Sequence, residues 1–254
     1  MGVTPWPHKR GKFLSTHVND ALMKKIIRRF FAFGTVALLV LGMPLLAGCK
    51  DSGEETKSTL NVFGTLVEIT IRDTDEQTAL KAVEELSGDF QRMHKDWHAW
   101  KPGELDDLNK AIAQNRSVTV SPFLLPLLHQ ANNMYVQSDG LFNPAIGKLV
   151  SEWGFHADEL PMGKIPDKTL IDDLVSKNPT MEDLIINGTR VSSTNSAVHL
   201  DFGGFAKGVA LDLAVKRFKS MGIKNAILNA GGDLNVFGGH GDRRWRAGIR
   251  HPLD

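Results

Sequence analysis

A glycine-rich junction, residues 199–213, carries the residue types that bind phosphate-bearing small molecules. Asp201, Gly203, Gly204 and Lys207 lie between an apolar run and a helical pattern. Paired glycines allow close approach to the backbone, N–H groups at a helix start attract an anion, and a lysine adds a positive charge. The aspartate can accept hydrogen bonds from a ligand donor. The junction therefore indicates a phosphate-bearing ligand, and the alternative is an ordinary glycine turn with an acidic helix cap.

A second glycine turn of the same kind, Asn229–Asp233, raises the expectation that both turns line one cleft. Neither turn has the spacing of a Walker A loop or of a dinucleotide-binding fingerprint. Neither contains the residues of a hydrolase triad or of a helical zinc site. His94 and His98 would share a helix face, but Lys95 lies between them, so we favour aromatic packing over zinc.

The N-terminal segment predicts export and lipid anchoring. Four positive charges follow Met23, then come an apolar stretch, small residues and Cys49. This layout is typical of a secretory signal, and the stretch is shorter than the roughly 20 residues that cross a bilayer. Leu46-Ala47-Gly48-Cys49 resembles the bacterial lipoprotein signal. We therefore expect residues 23–48 to be a signal peptide and Cys49 to be lipidated, placing the protein in the bacterial cell envelope, facing the periplasm.

The remaining boundaries follow from composition. Residues 1–22 lack apolar periodicity and are interpreted as an over-long start, and residues 49–59 as a flexible tether. Cys49 is the only cysteine, so no intramolecular disulfide can form. The formal net charge is +1 and no block of basic residues follows residue 50, so we expect no nucleic-acid partner.

Strand and helix patterns interleave along residues 60–254, which predicts an α/β (α+β) body with a substantial mixed sheet and flanking helices. The expected elements are a strand pair or bent strand over Leu60–Arg72, a helix over Asp75–Met93 capped by Asp73 or Thr74, a helix over Ser121–Gln137 starting near Pro122, a hairpin at Asn187-Gly188, a helix over Gly208–Met221 capped by Gly222, and a strand pair around the second glycine turn.

Taken together, these segments resemble the ApbE-type FAD:protein FMN transferases from about Phe63 to Pro252. The motifs in order are Phe63-Gly64-Thr65, Trp100, Pro102-Gly103-Glu104-Leu105, Leu108-Asn109, Asp139-Gly140-Leu141-Phe142-Asn143-Pro144, Trp153-Gly154-Phe155, the glycine-rich junction, Asn229–Asp233, Trp245 and His251-Pro252. Each motif is weak alone, but their order and spacing are specific.

The resemblance implies an ApbE-like, T-fold-related body that takes FAD with Mg²⁺, releases AMP, and attaches FMN to a threonine or serine hydroxyl of an exported redox flavoprotein. It implies flavin-nucleotide contacts for seven residues and a metal-facing backbone carbonyl at Gly204. The seven are Phe63, where methionine is more usual, Trp100, Leu141, Phe142, Asn143, Asp201 and Lys207.

Family members continue past the point that matches residue 254 with a histidine segment and an acidic metal motif. Catalytic residues are therefore expected beyond residue 254, and the chain is interpreted as a C-terminally truncated copy. Two alternatives stay open at this point: an inactive flavin-binding remnant and a lipid-anchored scaffold.

Overall fold

The computed structural model describes residues 53–157 and 165–249. The predicted start, the signal peptide and the lipidation site Cys49 lie outside these residues. Within them, no helix has both the length and the apolar character needed to cross a membrane.

The elements in chain order are β1 (Glu55–Val62), β2 (Thr65–Arg72), α1 (Glu76–Asp96), α2 (Glu104–Ala113), β3 (Val118–Thr119), α3 (Leu125–Gln137), α4 (Gly147–Glu152), α5 (Lys168–Ser176), a 3₁₀ turn (Met181–Asp183), β4 (Leu184–Asn187), β5 (Arg190–Ser193), α6 (Ala206–Ser220), β6 (Asn225–Ala230) and β7 (Asp233–Phe237).

Two antiparallel sheets replace the expected mixed sheet, while the α/β class is confirmed. One sheet has the order β1-β2-β6-β7 and the other β3-β5-β4. Every ladder among the described strands is antiparallel, and parallel pairing is confined to an isolated bridge between Ile146 and His199. Connectivity requires this for three of the ladders, because β1–β2, β4–β5 and β6–β7 are hairpins, and a hairpin can only be antiparallel.

The first hairpin settles the two readings of Leu60–Arg72 in favour of a strand pair. Phe63 (φ 59°) and Gly64 (φ 70°) form its turn, in the left-handed conformation that tight hairpins favour. β1 starts at Glu55, which pairs with Arg72, so residues 55–59 belong to the sheet and not to a tether. An edge strand with one solvated face accepts the polar residues that suggested a linker.

The helix starts differ from prediction for local reasons. Asp75 caps α1 by accepting a hydrogen bond from the N–H of Thr78 at 2.9 Å, whereas Asp73 has a left-handed backbone (φ 56°). α3 begins at Leu125, later than predicted, because the hydroxyl of Ser121 accepts from the next backbone N–H groups and holds a separate turn. α6 ends before Gly222 (φ 83°), as predicted.

The core lies between the four-stranded sheet and helices α1 and α6. Alternate β2 residues Val67, Ile69 and Ile71 are buried, as expected when one face of a strand packs against helices. Phe90 of α1 and Phe218 of α6 are fully buried against this layer. The sheet and its two helices thus form the support for the segments that carry the glycine-rich junction.

A buried asparagine on α2 connects this support to the junction. The Asn109 side chain accepts from the Leu200 N–H at 2.7 Å and donates to the Leu200 carbonyl at 2.9 Å. One amide therefore satisfies both polar groups of a buried peptide residue, as a neighbouring strand would. This contact fixes the backbone immediately before Asp201.

Candidate functional site

Two adjoining cavities meet at the glycine-rich junction. The first has a volume of about 520 Å³ and is bordered by Phe63 and Lys207, among others. Trp100, Asp201 and Gly203 border both this cavity and the second one. These three residues therefore form the wall that the two cavities share.

The second cavity has a volume of about 360 Å³. Phe142, Asn143 and Gly204 border it, together with Phe155 of the segment after α4. Leu141, by contrast, borders neither cavity and is 91% exposed. It follows Gly140, whose positive φ of 77° turns the chain before Phe142. The fold thus brings seven of the eight predicted site residues together and leaves Leu141 at the surface.

The Asp201 backbone is held by the loop that precedes α4. The Asp201 N–H donates to the Pro144 carbonyl at 2.8 Å, and the His199 N–H donates to the Ala145 carbonyl at 3.0 Å. The Gly147 N–H returns a bond to the His199 carbonyl at 2.8 Å. A Cβ atom at Gly147 would lie only 2.6 Å from the His199 Nδ1 and carbonyl oxygen. The close approach of the two segments therefore requires glycine at position 147.

Both oxygens of the Asp201 carboxylate have defined partners. Oδ2 lies 2.8 Å from His156 Nε2, and Oδ1 accepts from the Gly203 N–H at 2.7 Å. Burial raises the pKa of Asp201, but the hydrogen bonds from His156 and Gly203 and the nearby histidine charges outweigh it, so the pKa is lowered. The α6 N-cap is Phe205 and has no side-chain cap, so Asp201 does not cap the helix.

A second histidine, His199, lies behind this carboxylate. Its Nδ1 is buried without a hydrogen-bond partner in the described part of the chain. The pKa of His199 is lowered from 6.5 to about 4, chiefly by burial and also by His156 and Lys148, and the opposing charges of Asp201 and Asp106 do not compensate. His199 is therefore neutral under ordinary conditions.

Ring contacts run along one side of the first cavity. The His156 ring stacks on Trp100, with centroids 4.3 Å apart and planes at 15°. His98 contacts Trp100 edge-on at 4.2 Å, and His94 bridges His98 and Phe63 through further edge contacts. His94 lies in the last turn of α1, whereas His98 follows the end of that helix, so the expectation that both share a helix face is wrong. Both histidines nevertheless belong to an aromatic wall, which agrees with the preference for aromatic packing over zinc.

His156 and His199 are functional candidates that the sequence motifs do not indicate. His156 directly follows the Trp153-Gly154-Phe155 motif, and His199 is the first residue of the glycine-rich junction. Their closeness to these motifs is the signal in the sequence that could have identified them. Neither reveals the Asp201 contact, because His156 and Asp201 are 45 residues apart in sequence.

The second glycine turn approaches the site at one point. Lys207 Nζ lies 3.6 Å from Asp233 Oδ2, in a largely exposed pair that contributes little to stability. Asn229 and Leu234, however, border a separate groove of about 400 Å³ that is also lined by β1 and β2 residues. The expectation that both turns line one cleft is therefore wrong apart from this ion pair.

Asn143 is occupied by backbone contacts. Its Nδ2 donates to the Pro179 carbonyl at 2.8 Å, and its Oδ1 accepts from the Ala145 N–H at 3.0 Å. The amide thereby fixes the loop that holds Asp201. Asn143 borders the second cavity, but its hydrogen bonds serve the loop.

The fit of Mg²⁺ depends on which ligands the chain supplies. Within residues 53–157 and 165–249, no group of three or more His, Cys, Asp or Glu side chains is arranged to hold a metal. Gly204 can offer only its backbone carbonyl. A Mg²⁺ ion bound here would therefore need oxygens beyond these residues, such as those of a phosphate ligand and water.

The amino-acid sequence is similar to those of known FAD:protein FMN transferases. The sequence model of the ApbE family matches residues 63–254. An FAD:protein FMN transferase of Rhodobacter capsulatus is 44% identical over 226 residues, which is 88% of this chain and 43% of that protein. One of Vibrio cholerae is 26% identical over 220 residues, which is 82% of this chain and 62% of that protein. The chain thus spans between two fifths and two thirds of these relatives.

Solved structures of the same kind share the fold. The ApbE protein of Thermotoga maritima superposes with a TM-score of 0.64 and 25% identity, covering 73% of this chain and 59% of that one. The flavin transferase ApbE of Vibrio cholerae gives a TM-score of 0.66 at 22% identity, covering 79% of this chain and 65% of that one. At such identity the second comparison supports the fold alone.

The close contact at Gly147 yields a stability prediction. We expect Gly147→Ala to lower the free energy of unfolding by about 1–3 kcal/mol, the usual cost of overpacking, because its methyl group meets the His199 backbone. The matched control is Gly88→Ala at an exposed position of helix α1, where nothing lies within 4 Å of the new methyl group. That variant should gain up to about 1 kcal/mol. Urea unfolding measures both, and equal effects would contradict the contact.

The depressed pKa of His199 predicts a pH-dependent stability. Between pH 6.5 and about 4 the unfolded chain binds a proton at this residue that the folded chain resists, so stability falls as pH falls. We expect the wild type to lose more unfolding free energy across this window than His199→Gln, which cannot titrate. His129→Gln, at an exposed position of α3, should follow the wild-type curve. Parallel curves for wild type and His199→Gln would exclude the effect.

Proposed function

Because the chain belongs to the ApbE family, we propose that it binds FAD at the paired cavities and transfers the FMN moiety to a hydroxyl group of a protein. The observation that carries this proposal is the meeting of Trp100, Asp201 and Lys207 at one site. These are residues that the family resemblance assigns to the flavin nucleotide. Their chemistry, an aromatic face, a carboxylate and a cation, suits such a ligand.

Each component has a physical task in this proposal. The aromatic wall at Trp100 offers stacking surface for a planar ring. Lys207 and the N–H groups at the start of α6, which no side chain caps, would attract the pyrophosphate. Asp201, ionised and fixed by two hydrogen bonds, would accept from a donor group of the ligand.

The finer parts of the proposal rest on the family resemblance. We propose that transfer depends on Mg²⁺, releases AMP, and modifies a threonine or serine of an exported redox flavoprotein. Bound Mg²⁺ would neutralise pyrophosphate charge, with the Gly204 carbonyl as the protein oxygen assigned here. The task of the described residues is to bind and orient FAD.

The full chain provides a direct test. FAD is titrated into the purified protein and binding is followed by flavin fluorescence. Mg²⁺ and an extract of exported proteins are then added, with AMP measured by chromatography and covalent flavin detected by in-gel fluorescence. Binding with AMP release supports the transferase, binding alone identifies a flavin-binding protein, and no binding leaves the scaffold alternative.

Substitutions of the two polar site residues test the binding mode. We expect Asp201→Asn and Lys207→Gln each to raise the FAD dissociation constant about tenfold, because a hydrogen bond or ion contact to a charged group contributes roughly 1.5–3 kcal/mol. Melting temperatures should stay close to wild type. The control is His129→Gln at an exposed position of α3. Wild-type FAD affinity in both site variants would remove these residues from the site.

We also propose that the protein is anchored to a membrane of the cell envelope through lipidated Cys49, its single cysteine. In a bacterial host, the wild type should incorporate labelled palmitate and sediment with membranes. Cys49→Ala should lose the label, while Ser52→Ala, three residues away, should retain it. Equal labelling of Cys49→Ala and wild type would reject lipidation at this residue.

A further inference from the structure

His156 joins two groups of the proposed FAD site that are far apart in sequence. Its side chain is 6% exposed and lies between Trp100 and Asp201. The ring stacks on the indole, and the ring edge reaches the carboxylate through Nε2 at 2.8 Å. A small imidazole thus contacts an aromatic face and a charge at once.

We propose that His156 is a positioning residue that holds the Trp100 ring and the Asp201 carboxylate in one preformed arrangement for a planar nucleotide ligand. This inference rests on the proposed function, because FAD is the ligand for which the arrangement is preformed. It goes beyond that function by assigning the orientation of the site to a residue outside the resemblance motifs.

The Asp201 carboxylate is held at both of its oxygens. A carboxylate has about four acceptor positions on its two oxygens. His156 uses one position on Oδ2 and the Gly203 N–H uses one on Oδ1. The carboxylate is therefore fixed at both oxygens and keeps further acceptor capacity for a ligand donor. Without His156, the largely buried Asp201 carboxylate would lose this side-chain donor, and a buried charge is costly to leave without its hydrogen bonds.

The Trp100 side chain is 37% exposed and borders both cavities. A partly exposed indole can change its side-chain torsions unless neighbouring rings restrain it. The stacked His156 ring covers one face of the indole and restrains it at the centre of the site. Groups held in place before binding lose less conformational entropy when the ligand arrives, which strengthens affinity.

Two substitutions separate the two contacts. His156→Phe keeps a ring that can stack on Trp100 but lacks the donor to Asp201. His156→Gln keeps an amide N–H near the Nε2 position but lacks the ring. We expect His156→Phe to raise the FAD dissociation constant about tenfold. We expect His156→Gln to raise it less than His156→Phe, because the charged contact contributes more than the stacking.

Titration of Asp201 by carboxyl-carbon NMR gives a readout that needs no FAD. The pKa of Asp201 should rise in His156→Phe, where the donor is lost, and stay near the wild-type value in His156→Gln. If His156→Phe does not fold, Asp201→Asn examines the same contact from its other side, since the His156 ring nitrogens should then shift in nitrogen NMR.

A double-mutant cycle completes the test. If His156 acts through Asp201, adding His156→Phe to Asp201→Asn should weaken FAD binding less than it does in wild type. Full additivity, or an unchanged Asp201 titration in His156→Phe, would overturn the inference. A wild-type chain that binds no FAD would overturn the proposed function, and the NMR titration would then show separately whether His156 positions Asp201.

Discussion

The backbone of the short segment His199–Asp201 is the point on which the site depends. His199 and Asp201 exchange hydrogen bonds with the loop at Pro144–Gly147 on one side. Leu200 exchanges both of its backbone bonds with the Asn109 side chain on the other side. The segment therefore has the pairing of a central strand, although within residues 53–157 and 165–249 it has a strand neighbour on neither side. Its rigidity places Asp201 where the two cavities meet.

Burial behind this segment requires that charge be balanced locally. Asp201 stays ionised because His156 and a backbone N–H compensate for the loss of water around it. His199, which has no partner for Nδ1 among the described residues, meets the same burial by remaining neutral. Of these two neighbouring titratable groups, Asp201 is therefore ionised and His199 is neutral, because Asp201 receives hydrogen bonds and His199 Nδ1 does not.

The elements of the fold could largely be predicted from local patterns. The turn at Phe63-Gly64, the helix over residues 206–220 and its glycine stop follow from residue type and period. The sequence does not predict the cap of α1 or the start of α3, because both depend on single side-chain hydrogen bonds, at Asp75 and Ser121. The polar start of β1 has the composition of a tether, and only its pairing with β2 reveals a strand.

The amino-acid sequence alone identifies the glycine-rich junction, the acid and the lysine within it, and the family to which they point, because these depend on residue types at fixed spacing. Seven of the eight site residues that it predicts border the two cavities, and Leu141 is the exception. The stacking of His156 on Trp100, its contact with Asp201 and the burial of His199 behind them emerge only in the folded chain. The reason is distance along the chain: the contacts of His156 join residues 45 or more positions apart, and local periodicity carries no information about such pairs.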